Sequence, residues 1–289
     1  DESKVASPTN GADDYVNWLP GVHIKYRPQK NLTIRGAWTN SLSRPNYYDL
    51  VPYRSISRGG EILRMGNPFL RPTTSSNFDF SIEQYYKSIG ILSLGLFSKQ
   101  IDHFIYVHKE HEFVDSFTGN LYDEFYQPRN SATAQLAGIE VAYQRQLGFL
   151  PGFLSNLGIY TNYTFVHSRA NSPALVKSIS LPGAAPHMLN LNLTYETTRI
   201  IAGLSLNYTS PYLDPDEVDL TPGLERYYDK VTYLDFNASY KIAHNLRIYF
   251  EAQNLLNQPL RYYAGVAERT FQQEYYSFRL NAGIKYNFK

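Results

Sequence analysis

The chain has no cysteine, which excludes a disulfide framework, a thiolate metal site and a cysteine nucleophile. An excess of either charge is also lacking. Lys and Arg total 27 against 26 Asp and Glu, so nothing suggests nucleic-acid binding, which needs a clustered basic surface. No run of 18 consecutive apolar residues occurs, and no transmembrane helix is expected. The first residues, Asp1 to Asn10, are polar and show neither the basic start nor the apolar stretch of a secretion signal. Either the protein is not exported or its front end has been removed. There is no Gly-rich phosphate loop, no G-x-S-x-G turn and no carboxylate pair in an enzyme context, so no catalytic residue, metal or cofactor is expected.

What the chain does have is tyrosine. Aromatics make up 15% of residues, with 26 Tyr, in a chain whose mean hydropathy is negative. Tyr is apolar with one polar tip and suits a boundary between oil and water. The pattern is clearest at the end. Tyr276, Phe278, Leu280, Ala282, Ile284, Tyr286 and Phe288 alternate with Ser277, Arg279, Asn281, Gly283, Lys285 and Asn287. A period of two is a strand with chemically opposite faces. Aromatics at both ends of an apolar face of about ten residues match a tilted strand crossing a bilayer.

The alternation recurs at Leu246–Ala252, Leu234–Ile242, Ala202–Tyr208, Leu189–Tyr195, Leu157–Phe165, Ile139–Tyr143, Leu92–Leu96, Phe78–Ile82, Leu32–Trp38 and Val22–Tyr26, eleven strands in all. Charges fall at the polar parity, among them Lys25, Arg35, Asp79, Glu83, Glu140, Asp235, Lys241, Arg247, Glu251, Arg279 and Lys285. A lipid-facing Arg or Lys costs roughly 2–4 kcal/mol at the bilayer midplane, and a water- or protein-filled interior removes that penalty.

Short links (27–31, 87–90, 147–156, 196–199, 243–245) alternate with long polar ones (40–75, 101–135, 167–186, 210–231, 258–273). An up-and-down meander alternates in this way when one rim has tight turns and the other extended loops, as in outer-membrane barrels. By parity the C-terminus then lies on the short-turn, periplasmic side. Single-chain bacterial barrels have even strand numbers, and an open edge leaves backbone groups unpaired in hydrocarbon. The chain therefore reads as part of a barrel. Twice eleven is the 22 of plugged outer-membrane transporters.

Local motifs carry a resemblance. Gly66-Asn67-Pro68-Phe69-Leu70-Arg71-Pro72-Thr73, followed by Ser76-Asn77-Phe78-Asp79, is similar to the "GNPxLxPE…xNFD" stretch of the TonB-dependent receptors of the bacterial outer membrane, with Thr73 where the family often has Glu. Glu251-Ala252-Gln253-Asn254-Leu255-Leu256-Asn257 resembles the "xxNLxN" that ends the penultimate strand. Arg261-Tyr262-Tyr263 and Tyr286-Asn287-Phe288 resemble the family's ending, and Ser43-Arg44-Pro45 another recurrent element. The resemblance covers essentially residues 1–289 as the C-terminal part of the barrel, all-β and antiparallel, with plug domain and N-terminal barrel half absent. It implies energised uptake of a scarce nutrient, an iron–siderophore or similar complex or an oligosaccharide. It implies as partners outer-membrane lipid, the TonB coupling protein acting through the missing N-terminal region, the transported ligand, and a surface lipoprotein as a further candidate. The rivals are a passive porin and a secreted all-β carbohydrate-binding module.

Two loop segments carry candidate ligand-binding residues. Arg44, Tyr47, Tyr48 and Asp49 offer a cation for anionic groups and flat aromatic faces, or else pack the loop against the barrel. In Asp102–Glu112, Tyr106, His108 and His111 lie with His103, Glu110 and Glu112. The spacing is not His-Glu-x-x-His, so zinc-protease geometry is absent. A solvated loop edge is the first reading there, substrate contact the second and a metal site the third. Lumen-parity Lys241, Arg247, Glu251, Arg279 and Lys285 are expected to pair across strands or to hold a plug domain.

Overall fold

The computed structural model describes residues 16–57, 59–86, 89–130, 133–171, 178–215, 218–219 and 223–288. The polar start Asp1 to Asn10, Lys87 of one short link, Lys289 and parts of the links 167–186 and 210–231 lie outside them. The period-two segments form one sheet of eleven strands in chain order. These are β1 (Gly21–Gln29), β2 (Leu32–Ser43), β3 (Thr73–Tyr85), β4 (Gly90–Asp102), β5 (Thr133–Gln146) and β6 (Leu157–Asn171), then β7 (His187–Glu196), β8 (Ile200–Thr209), β9 (Val231–Ala243), β10 (Leu246–Gln253) and β11 (Arg279–Tyr286). Every neighbouring pair is antiparallel.

Register carries each face across the sheet. One row runs Ile24, Gly36, Phe80, Leu96, Ile139, Phe165, and the next runs Lys25, Arg35, Ser81, Gly95, Glu140, Thr164. Ile24, Phe80, Leu96, Ile139 and Phe165 are exposed, as a face turned to lipid must be. In the polar face Arg35 pairs with Glu83 at 3.0 Å. Lys241, Arg247 and Lys285 instead occupy one row across β9, β10 and β11. Arg247 donates to the Ser239 hydroxyl at 2.8 Å, and none of the three has a carboxylate partner among the described residues. The expected cross-strand pairing is not found for them. Like charges standing opposite one another repel, so this row presents unneutralised positive charge to the lumen.

The last strand begins at Arg279, later than the alternation from Tyr276 implied, because Ser277 takes a left-handed backbone (φ 61°). Asn254 builds this corner. It is itself left-handed (φ 54°), its N–H donates to Asp235 Oδ1 at 2.8 Å, its Oδ1 accepts from Gln258 N at 2.8 Å, and its Nδ2 donates to the Ser277 carbonyl at 3.1 Å. Asn tolerates this conformation better than most side chains.

Strands β3 to β6 are 13 to 15 residues long, beyond the ~9–11 a tilted strand needs to cross a bilayer. They overshoot on the long-loop side. The long links read as polar connections prove to be folded. Strands Arg54–Ile56, Ile62–Met65, Ile105–Val114, Leu121–Asn130 and Val218–Asp219 make a five-stranded sheet, and Tyr212–Leu213, Arg226–Tyr228, Leu260–Ala264 and Thr270–Glu274 a four-stranded one. The buried apolar clusters lie here: Leu63, Tyr122 and Phe125; Tyr106 with Leu213; Ala134, Ala170 and Leu181. Meanwhile β1 pairs only with β2 and β11 only with β10, so the sheet ends in two open edges and does not close.

Candidate functional site

The loop platform above the strand ends is where side chains of binding chemistry collect. Its foundation is the Gly66-Asn67 segment. Asn67 N–H donates to the Asp49 carbonyl at 2.6 Å, and Gly66 N–H to the Tyr53 carbonyl at 3.3 Å. The Asn67 amide reaches the Pro128 carbonyl at 3.0 Å. A Cβ on Gly66 would lie 1.8 Å from the Val51 carbonyl oxygen, so only glycine allows the two segments to meet. Asn130 accepts from Arg71 N–H at 2.9 Å and donates to the Arg71 carbonyl at 3.0 Å and the His103 carbonyl at 2.7 Å. The loops of residues 44–71 and 103–130 are thus fastened to each other by backbone-directed hydrogen bonds.

The sequence-predicted residues separate by exposure. Asn46 caps the one-turn helix α1 (Tyr47–Leu50), its side chain accepting from Tyr48 N–H. Tyr47 and Tyr48 are 79% and 76% exposed, and Arg44 is exposed beside them. Asp49 is half-buried, which raises its carboxyl above the usual range, and its carbonyl serves the Asn67 bond. Tyr106 and His108 are buried on one face of the hairpin, their rings edge to face at 6.3 Å. His108 Nε2 lies 3.5 Å from Glu110 Oε2. The reading of this segment as a solvated loop edge fails for Tyr106 and His108, which are both buried, Tyr106 against Leu213 of another loop. It describes His111, which is exposed on the opposite face, across from Glu124. Among the described residues no group of three or more His, Asp or Glu could hold a metal ion.

Around this face the electrostatics are local. Burial pushes Glu124 up, but Lys109, at 2.9 Å, and the Tyr126 hydroxyl, at 2.7 Å, hold it below the usual range. Asp115, buried, behaves alike. Its burial is outweighed by the Thr118 hydroxyl, the Phe117 N–H and the Arg54 guanidinium.

The four-stranded loop sheet carries residues that composition announced but spacing did not single out. Its register aligns Tyr212, Tyr228 and Tyr262 on one face, and Leu213, Tyr227 and Tyr263 on the other. Tyr212 stacks on Tyr228 at 5.2 Å, Tyr227 on Tyr263 at 5.2 Å, and Tyr228 meets Tyr262 edge-on at 5.1 Å. Arg226 lies 5.1 Å over the Tyr262 ring and 2.5 Å from Asp214 Oδ2, while Arg261 pairs with Asp229 at 2.8 Å. Burial, helped by neighbouring phenols, pushes the Tyr228 hydroxyl up to about 12, and burial also raises Tyr227 and Tyr263. These phenols are neutral donors at physiological pH. Through Leu213 and Tyr227 the sheet packs on Tyr106, so both loop sheets share one core. The only signal that could have found the cluster is the Arg261-Tyr262-Tyr263 run, whose partners arrive from 212–228 through pairing.

Flat aromatic faces with hydroxyl tips and stacked guanidinium groups recognise planar, anionic or sugar-like ligands.

A family model described as TonB dependent receptor-like, beta-barrel matches residues 1–255. A search of the curated proteins gives no match. Among solved structures, a ferric enterobactin receptor (PfeA) from Pseudomonas aeruginosa superposes with a TM-score of 0.63 at 17% identity, over 94% of this chain and 40% of that one. The siderophore receptor PirA from Acinetobacter baumannii gives 0.64 at 16%, over 94% and 41%. The copper transporter OprC gives 0.60 at 15%, over 83% and 33%. The chain spans about 40% of the length of the first two.

Proposed function

The chain belongs to the TonB-dependent receptor β-barrel family, and from that premise we propose that it is the C-terminal half of a 22-stranded outer-membrane transporter that takes up a scarce ligand by energised transport. The long-loop rim faces outward and the short turns face the periplasm. The ligand meets the loop platform from outside, and the absent plug and N-terminal region connect it to the coupling protein. The observation that carries this reading is the folded platform itself. Here the loops share a core and present Tyr47, Tyr48 and the Tyr212–Tyr228–Tyr262 face. Such a surface holds ligand by stacking and phenol donors. An iron–siderophore complex is the first ligand class, supported by the siderophores named for two of the similar receptors. An oligosaccharide, which the same aromatic faces suit, is the second. The unpaired luminal row of Lys241, Arg247 and Lys285 suits an acidic stretch of the missing plug.

The test is accumulation of labelled iron–siderophore and oligosaccharide panels by cells with and without the full gene. Gene-dependent uptake of one panel is expected. If no member of either panel depends on the gene, both ligand classes are wrong.

A further inference from the structure

Outward-facing basic side chains depart from the lipid-avoiding parity at the two ends of the spanning strands. At the short-turn end Arg145 of β5 lies 4.5 Å over the Tyr86 ring and 4.4 Å over the Phe149 ring. At the long-loop end β6 carries His167 and Arg169 on the face of Phe165. From Ile159, opposite Arg145, to His167 is about nine residues, the length a tilted strand needs to cross hydrocarbon. These charges mark its two edges.

At the long-loop edge the register stacks three outward rows on β4, β5 and β6. They are Leu96–Ile139–Phe165, then Ser98–Ala137–His167, then Gln100–Gln135–Arg169. The first is exposed and apolar, and the others are polar except at Ala137. At the first row the His187 ring lies 5.2 Å from Phe165, and its Nδ1 lies 2.8 Å from the Tyr163 hydroxyl, the kind of aromatic belt found at a membrane interface. Just above it lies a half-open pocket of about 370 Å3, lined by Ser98, Lys99, Gln100, Gln135, His167 and Arg169 among others. His167 and Arg169 are exposed, and neither has an ion-pair or side-chain hydrogen-bond partner among the described residues. Asp102, one outward row further, forms no ion pair there either. The alternate residues Val166 and Ala170 are buried, Ala170 in the loop core. The strand therefore cannot turn its charges inward without exposing that core.

We propose that this pocket binds the phosphate-bearing headgroup of an outer-leaflet lipid. The Arg169 fork matches a phosphate bidentately. Ser98, Gln100, Gln135 and His167 donate to further headgroup oxygens, and the acyl chains descend over Leu96, Ile139 and Phe165. The assignment rests on the outward orientation of the long loops under the proposed function.

The full-length receptor, purified from its membrane, tests this by native mass spectrometry of retained phosphorylated glycolipid. The native protein is expected to retain it in the presence of excess inorganic phosphate. The double variant Arg169→Gln with His167→Gln should retain at least about fivefold less, the weight of one charge at a membrane surface. Arg199→Gln on the opposite rim should match the native protein. Exchange of dephosphorylated lipid onto the native receptor needs no variant, and weaker retention is expected. Equal retention by the double variant, equal retention of dephosphorylated lipid, or displacement by inorganic phosphate each overturns the proposal. A receptor that transports its ligand but retains no lipid contradicts this inference alone. One that retains lipid but shows no gene-dependent uptake contradicts the transport reading alone.

Discussion

Gly66 and Tyr228 show how single positions hold the loop platform. The first has no room for a methyl group beside the Val51 carbonyl. Gly66→Ala must push the 44–53 segment away, with an expected loss of about 1–3 kcal/mol, the range for overpacking. Faster proteolytic nicking of the loops in an otherwise intact barrel would report it, and unchanged nicking would contradict the packing described. Tyr228 ionises late in the folded protein, at about 12 against 10.0 for a free phenol. A raised folded value means that its contribution to loop stability is complete below about pH 10 and is lost as pH rises toward about 12. Phenolate absorbance should therefore show a late step as the loops open, and Tyr228→Phe should remove part of that late step. The sequence made the GNP motif legible as a motif but not as a clasp, because its partners Asp49, Tyr53 and Pro128 are distant in the chain. The 103–112 segment looked solvated for the same reason. The Leu213 loop, whose residue shares a buried cluster with Tyr106, lies about a hundred residues away.

At the scale of the strand, period two is the whole signal, and it located all eleven barrel strands. Alternation is local, so it survives without knowledge of partners. The ends were harder to place. The extensions of β3 to β6 carry polar outward residues, and their apolar ones, such as Ala134, Val166 and Ala170, face the loops and not lipid, while the short loop strands follow from pairing with distant segments and from burial. Ser277 and Asn254 broke the final pattern through left-handed backbone that alternation does not encode. The two faces of β4 give a sharp contrast. Leu94 is exposed toward lipid, while Ser93 lies on the luminal parity, opposite Glu83. Leu94→Arg should destabilise the full-length barrel by about 2–4 kcal/mol and Ser93→Arg by far less, measured by urea unfolding in lipid vesicles. Equal effects would contradict the assignment of faces.

For the whole molecule the open edges at β1 and β11 are decisive. Each leaves a row of backbone donors and acceptors that hydrocarbon cannot satisfy, at several kcal/mol per group. This chain on its own should fail to form a protease-resistant, heat-modifiable monomer in vesicles, whereas the full-length receptor should form one. A resistant monomer of the isolated chain would refute its reading as half a barrel. Under the proposed function the lumen and the loop platform would work with a plug and a coupling segment outside this chain, and their engagement would separate a transporter from a pore. The most direct measurement is accumulation of the identified ligand by intact cells carrying the full gene, with the coupling protein present or deleted. Accumulation should vanish on deletion while ligand binding at the cell surface persists. Accumulation that continues undiminished without the coupling protein would contradict energised transport and return the molecule to the class of passive channels.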